Sequence, residues 1–385
     1  MTLYFRSPRR FIIIGMVMVI TLVAEMFLTA CSRNEAVKQG NKIYRIGAVL
    51  PMTGPIGYLG GQELLGLKLA VEDINSRAKE NGFTVEIRLE DFASQPSNAV
   101  TAARKLIDVD KIDLLFVSTT SATRAIAPIA QDNNIPMLVI SSDPQITQVA
   151  PVVHRVFMNS GVEQHLLAER LLKLSTKSVY VLYNRDRAFE SAYQELRDLL
   201  QKGGVRNISA DSFEKTQHDF RVAIEKAKRA RTDAYVIMGF GSEFPNLLSQ
   251  WGSRSAGRFY GNYTFGTAGA QSQGISLIEG IEFPTFEVRN DSPMIAGFIE
   301  RVRKINQGKQ PSDFMDHLYS YESLMFVEQC IRQARLTNSI DITKGCSGIR
   351  EFEGITGRIK IDNSRNAQVP MRMARYTSSR LVNVE

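Results

Sequence analysis

Cysteine is nearly absent from this chain of 385 residues: three occur, at 31, 330 and 346. That is too few for a structural zinc site of the four-cysteine kind. Histidine is as sparse. His154, His165, His218 and His317 are the only four, and no two stand four residues apart, so the helical pair that holds a catalytic zinc is missing. No Gly-x-Ser-x-Gly elbow occurs, which removes that route to an activated serine. The loop Gly54-Pro55-Ile56-Gly57-Tyr58-Leu59-Gly60-Gly61 lacks the Lys-Ser/Thr of a nucleotide-binding loop, so phosphate binding is not its role. There is no short-period repeat, low-complexity tract or long Gly/Ser linker. These absences leave little room for an enzyme and indicate neither metal nor cofactor.

A strong excess of one charge is also lacking. Lys and Arg number 47 against 40 Asp and Glu, a formal +7. Arg6, Arg9, Arg10 and Glu25 give residues 1–30 a net +2, which leaves +5 scattered over the rest. The densest basic stretch, Lys226-Ala227-Lys228-Arg229-Ala230-Arg231, ends a helix-like segment, where cations meet the helix dipole favourably. It reads as a solvated helix end, not as a nucleic-acid surface.

One long apolar run is present, from Phe11 to Phe27, with the three arginines before it and Leu28-Thr29-Ala30-Cys31 after it. That order of parts makes an export signal. The last four residues resemble the lipobox of bacterial lipoproteins, whose cysteine thiol receives a diacylglycerol and becomes the acylated first residue of the mature protein. The resemblance implies a signal peptide over 1–30, lipidation at Cys31 and a flexible tether over 31–41. More than one acyl chain gives stable anchoring. The protein is therefore expected at the cell envelope, periplasmic or on the outer face of the cytoplasmic membrane, with the outer membrane open as well. An uncleaved anchor is the alternative, since about twenty apolar residues span a bilayer. Small Ala30 and polar Ser32-Arg33-Asn34-Glu35 favour cleavage. Export argues against nucleic acid as a partner. It also places Cys330 and Cys346 in an oxidising space, as a candidate disulfide whose geometry the sequence leaves open.

From residue 31 on, the chain is long for one core and comfortable for two lobes. Beyond Lys42, short β-branched runs alternate with amphipathic helix patterns, the mark of parallel sheets with crossover helices. Strands are expected over 44–50, 84–90, 112–117 and 135–140, with helices over 61–79, 97–108 and 122–132. The pattern restarts with strands over 153–158, 178–183, 207–213, 234–240 and 259–265, and helices over 162–174, 189–202, 220–229 and 243–251. Two long helices, 292–307 and 316–335, and strands over 357–362 and 371–376 close the chain. Neither tail forms a domain alone, so the chain must cross between lobes more than once, as in hinged proteins that hold a ligand in a cleft.

This organisation resembles the type I periplasmic binding proteins of the branched-chain amino-acid group. The residues that carry the likeness are Ile46-Gly47-Ala48-Val49-Leu50-Pro51-Met52-Thr53-Gly54-Pro55, Ala70-Val71-Glu72-Asp73-Ile74-Asn75, Ile135-Pro136-Met137 with Ser141-Ser142-Asp143-Pro144 and Thr147, and Phe352-Glu353-Gly354-Ile355-Thr356-Gly357 with Ile361-Asp362. The resemblance implies an α/β fold of two lobes, each a parallel sheet flanked by helices, with multiple hinge crossovers. Lobe 1 would hold 42–158 and 284–353, and lobe 2 would hold 159–283 and 354–385. It further implies a monomeric receptor that captures a small polar ligand, an amino acid or a related amide or aromatic acid, for a permease driven by ATP hydrolysis, an ABC importer.

Four hydroxyls, Ser118, Thr119, Thr120 and Ser121, fall between a buried strand and a helix start, where hydroxyls, free amides and the helix dipole suit a carboxylate. Plain N-capping would use only one of them. By resemblance Thr120 or Thr119 holds the ligand's carboxylate, and Ser141, Ser142 and Asp143 sit on the next strand-to-helix turn. Tyr58 is a candidate pocket wall. Phe189 stands where the family's amino-acid binders place an aromatic. Those binders also carry an acid after the strand near 259–261, and here the loop reads Gly261-Asn262-Tyr263-Thr264-Phe265. A buried ammonium without a paired charge is costly, so Glu243 or Asp143 takes that role or the ligand is not an α-amino acid. Phe240, Phe244, Tyr263 and Phe265 suggest a partly apolar ligand or ordinary packing. A second reading, a sensing or cell-wall-regulating lipoprotein with the same fold and a protein partner, follows from the missing acid.

Overall fold

Apolar strands buried on both faces set the architecture of the computed structural model, which describes residues 42–254, 257–271, 273–287, 292–305, 315–337 and 341–384. The expected signal peptide over 1–30, Cys31 and the tether over 31–41 lie outside the described residues. From Ile43 onward the chain forms one compact unit.

The first sheet comprises β1 (Lys42–Leu50), β2 (Phe83–Asp91), β3 (Leu114–Ser118), β4 (Met137–Ile140) and β5 (Val153–Arg155), in the order β2-β1-β3-β4-β5. β3 and β4 are buried at every position, as parallel strands covered on both faces must be. Their register sets Ile46 beside Leu114 and Leu115 beside Met137. Helices α1 (Gly57–Ser76), α2 (Pro96–Asp108) and α3 (Thr120–Asp132) link them. One core forms around Leu50, Leu67 and Phe116, and another on the opposite face around Val49, Val117 and Ala127.

The chain then passes through α4 (Ser160–Lys173), β6 (Ser178–Asn184), α5 (Arg187–Lys202), β7 (Asn207–Phe213), α6 (Arg221–Ala230), β8 (Ala234–Met238), α7 (Phe244–Trp251), β9 (Arg258–Gly261) and β10 (Glu282–Phe286). It returns through α8 (Pro293–Ile305), α9 (Met315–Leu336), α10 (Ile342–Ser347) and the small antiparallel sheet β11 (Glu351–Gly354), β12 (Gly357–Ile361) and β13 (Ala367–Gln368). β14 (Met371–Thr377) and β15 (Arg380–Asn383) then complete the second sheet, ordered β15-β14-β10-β9-β8-β6-β7. Phe298, Leu318, Phe326, Phe352 and Ile359 share a core with Phe116, so the returning helices and the small sheet pack on the first sheet. The fold is α/β with two helix-flanked sheets, the second of them mixed and not purely parallel as expected, because β14 and β15 run antiparallel, and the chain passes between the sheets three times.

Three expectations change. The strand expected over 259–265 ends at Gly261, because a 3₁₀ turn over Tyr263–Gly266 folds the Phe265 ring back over Gly261, where a Cβ would have no room. β10, β11 and β15 had no clear signal, and Pro284 masks β10 because proline reads as a strand breaker. Of residues 354–385, expected in the second lobe, 354–369 pack on the first core instead, and 284–286, expected in the first lobe, end a strand of the second sheet. The ladder that returns the chain to the second sheet begins at Met371, opposite Phe286.

Cys330 and Cys346 form a disulfide joining α9 to α10, with Cα atoms 4.4 Å apart. No helix among the described residues is long and apolar enough to cross a membrane.

Candidate functional site

In open parallel sheets a crevice opens at the carboxyl ends of strands where the connections leave in opposite directions. The first sheet has such a point between β1 and β3, since β2 lies on the far side of β1. The second has one between β6 and β8, since β7 lies beyond β6. Residues just past the carboxyl ends of these strands and of β4 line a single cleft, joined by side chains from α1 and α9.

The wall on the first sheet is polar. Ser118, Thr119, Thr120, Ser141 and Ser142 line it, and the Thr120 and Ser141 hydroxyls lie 2.7 Å apart in a hydrogen bond. Ser118 Oγ donates to Glu63 Oε1 at 2.8 Å. Thr119 holds φ 74°, ψ 148°, a region costing a non-glycine residue about 1–3 kcal/mol. Its amide donates to the Ile140 carbonyl at 2.9 Å, while its own carbonyl accepts from Thr123 N and Oγ1 at 3.1 and 2.8 Å. These bonds hold the turn that starts α3. Thr119 Oγ1 accepts from Ala122 N at 3.4 Å, so capping falls to Thr119 and leaves Thr120 turned to Ser141.

The facing wall comes from the second sheet. Asp186 caps α5 by accepting from Ala188 N at 3.0 Å, and Ala188 and Phe189 follow it into the cleft. Phe189 and Phe240 meet edge to face at 4.8 Å. Tyr263 packs edge to face on Phe157 at 5.7 Å, closing the apolar side. The cleft measures about 40 Å³, room for a few waters at roughly 10–15 Å³ each. Entry of an organic ligand therefore requires the walls to part. Tyr58 is one of the contacts between them, its hydroxyl donating to the Phe240 carbonyl while Ile56 is buried in a core of the second sheet with Val181 and Val236.

The charges lining the cleft all have one sign. Glu63, Asp186 and Asp316 line it, and no Lys, Arg or His does so among the described residues. Burial raises the Glu63 carboxyl well above the usual range, the charge of Asp316 adds to this, and burial raises Asp316 as well. Glu163 accepts from Tyr263 N at 2.6 Å, and burial pushes it up to about 8. The Tyr263 hydroxyl is also raised, first by burial and then by Asp316 and Glu163.

Of the residues singled out from sequence, the fold brings Ser118, Thr119, Thr120, Ser141, Ser142, Phe189, Phe240 and Tyr263 to one cleft. Tyr58, Ser121 and Asp143 are not among its lining. Tyr58 packs against the second-sheet core that holds Ile56, and Asp143 is held by Arg124 at 2.6 Å and by Gln145 N at 2.8 Å. Glu243 accepts from Asn184 at 2.7 Å and from Phe240 N at 3.3 Å, away from the cleft. Phe244 and Phe265 stack on each other at 4.1 Å in a core of the second sheet with Leu182 and Ile237. Sequence reasoning missed Glu63, Asp186, Asp316, Ala188 and Phe157. A signal existed for Glu63: it shares the buried stripe of α1 with Leu67, Ala70 and Ile74, where an acid has no place in a plain core.

A family model described as "Periplasmic binding protein" matches residues 43–380. A leucine-, isoleucine-, valine-, threonine- and alanine-binding protein of Pseudomonas aeruginosa is 24% identical over 329 residues, 83% of this chain and 85% of that protein. A Leu/Ile/Val-binding protein homologue of Brucella melitensis is 25% identical over 208 residues, 53% of this chain. That match spans only 56% of the Brucella protein's length. Among solved structures, a solute binding protein of an ABC transporter from R. palustris, in complex with benzoate, superposes with a TM-score of 0.79 at 17% identity, covering 89% of this chain and 95% of that one.

Proposed function

This chain belongs to the periplasmic binding protein family, in the type I group of the branched-chain amino-acid transporters, and on that premise we propose that it is an extracytoplasmic receptor that closes two lobes on a small polar ligand. The observation that carries the reading is one cleft built where the switch points of two sheets face each other, hydroxyls on one wall and aromatics on the other. Three chain crossings join the walls, so they can part and close as bodies. The ligand drives closure by binding the closed form more tightly than the open one. Thr120, Ser141 and the start of α3 are proposed to receive an acceptor group of the ligand, while Phe189, Phe240 and Tyr263 enclose its apolar part. A monomeric receptor is part of the proposal and rests on the family. Delivery to the permease of an ABC importer is part of the proposal and rests on the family.

The test is thermal unfolding of the purified full chain against amino acids, amides, aromatic acids, nucleosides and short peptides. A ligand at a hundredfold excess over its dissociation constant is expected to add about 2.7 kcal/mol, read as a raised midpoint for one chemical class. A flat response across the set would sink the receptor reading.

We also propose lipidation at Cys31, supported by the export signal and Leu28-Thr29-Ala30-Cys31 before the described residues. Intact mass of membrane-extracted protein is expected to show a chain that begins at Cys31 and carries acyl groups, while Cys31→Ala releases the protein from the membrane or leaves the signal uncut. An unmodified Cys31 in a membrane-bound protein would contradict this.

A further inference from the structure

We infer that Glu63 and Asp316 form a cation-seeking subsite, so that the ligand carries an ammonium, amidinium or amide group whose N–H donors enter the first lobe between α1 and α9. This rests on the receptor reading above and deepens it.

Both side chains are buried, at 1% and 4% exposure, and both line the cleft. Glu63 Oε2 and Asp316 Oδ2 have no hydrogen-bond partner. Buried polar atoms are nearly always paired, and these two oxygens, on side chains that line the cleft, lack a donor. The protein's nearby cations are engaged elsewhere. Lys215 lies 3.8 Å from Asp186 and over the Phe240 ring, Arg124 holds Asp143, and Arg155 donates to Asn366 and to the carbonyls of Phe157 and Met158. The donor must therefore come with the ligand.

The groups around the pair are acidic or neutral. Tyr263 faces it from the second lobe, with Tyr58 and Glu163 adding to the same field. His317, next to Asp316 on α9, is held neutral by burial, which pushes it down to about 4. Acids so placed favour a ligand that brings N–H donors: a cation stabilises their ionised form and a neutral amide donates at no charge cost, whereas a simple carboxylate brings no donor and opposes ionisation. The acid absent from the loop 261–265 thus has a counterpart on the opposite wall, contributed by different elements. Burial raises both groups, which disfavours their ionised forms in the empty cleft. An entering cation favours the ionised pair, so an O–H proton leaves to solvent while the ligand keeps all of its own. Cation affinity therefore rises with pH.

The test is calorimetric titration of the full chain with benzylamine, phenylalanine, leucine, benzamide and benzoate. It is run at about pH 6 and about pH 8, in buffers of differing ionisation enthalpy, so that proton release is read directly. Nitrogen-bearing probes are expected to bind and benzoate to fail. Cationic and zwitterionic probes should bind about tenfold tighter at the higher pH and release up to about one proton each. Glu63→Gln and Asp316→Asn should each lose about tenfold to a hundredfold in affinity for them. Benzoate binding as well as phenylalanine, variants binding unchanged, or affinity indifferent to pH would each overturn the subsite while leaving the receptor intact. Silence from every probe and from the wider thermal screen would overturn both. Should a variant fail to fold, the pH and proton-release readings on the unaltered protein still decide.

Discussion

Replacing Gly66 by alanine is expected to destabilise the protein by about 3 kcal/mol, even though alanine is worth roughly 1 kcal/mol more than glycine inside a helix. Gly66 sits mid-way along α1, where that helix lies against α9. A Cβ there would run into the backbone carbonyl of His317 and the Ser320 hydroxyl. Backbone cannot swing aside as a side-chain tip can, so the helices must separate. Ser320 Oγ already donates to the carbonyls of Asp316 and His317, the latter at 3.1 Å, so the obstruction falls on a bonded turn. The same turn carries Asp316, and Glu63 lies three residues before Gly66, so the substitution moves both walls of the proposed subsite. Gly61, also in α1, has nothing within 4 Å of its Cβ position. Gly61→Ala should therefore stabilise by up to about 1 kcal/mol. Chemical denaturation of the pair checks this. Equal stability of the two variants would refute the close approach of α1 to α9.

Arg155→Ala is expected to cost about 4 kcal/mol, because a buried acceptor left without its donor costs about 1–3 kcal/mol. Arg155 is fully buried at the end of β5. Its Nε donates to Asn366 Oδ1 at 2.7 Å, and its Nη1 donates to the carbonyls of Phe157 (3.0 Å) and Met158. Its own amide donates to the Arg365 carbonyl at 3.0 Å, beside the isolated bridge to Asn366. Burial pulls it down to about 10, and it remains charged at neutral pH. Truncation would leave three acceptors unsatisfied in the segment that carries the chain out of the first sheet and in the loop that brings it back. Arg155→Lys should not restore stability, since one ammonium on a flexible stem cannot reproduce a planar fork reaching three acceptors. A midpoint for Arg155→Ala within a degree or two of the parent would contradict this account.

The parallel units were legible because β-branched runs and helical stripes are local signals. Ile46 to Leu50, Leu114 to Val117 and Ala234 to Met238 announce themselves without partners. β10, with Pro284 inside it, becomes a strand only because β9 and β14 flank it. The short turn after β9 is set by Phe265 packing on Gly261, a contact that periodicity does not report. In the cleft, the hydroxyls of Ser118, Thr119, Thr120 and Ser141 were legible because they follow buried strands directly. The acids were not. Glu63 and Asp316 lie 253 positions apart, on helices that would read as core and surface until their packing is known. Asp143, an obvious candidate from its place in the turn, is neutralised by Arg124 from α3, a pairing across 19 positions.

Whether a ligand lies in this cleft is tested most directly by repeating the thermal screen on Ala188→Trp, with the unaltered protein beside it. Ala188 is a wall residue at the first turn of α5, where an indole takes the space that a ligand would occupy once the walls part. The account predicts that a ligand near a hundredfold excess raises the parent's stability by about 2.7 kcal/mol, and that Ala188→Trp unfolds as cooperatively without any such rise. A rise that survives the tryptophan would place the ligand elsewhere and contradict the cleft as the binding site.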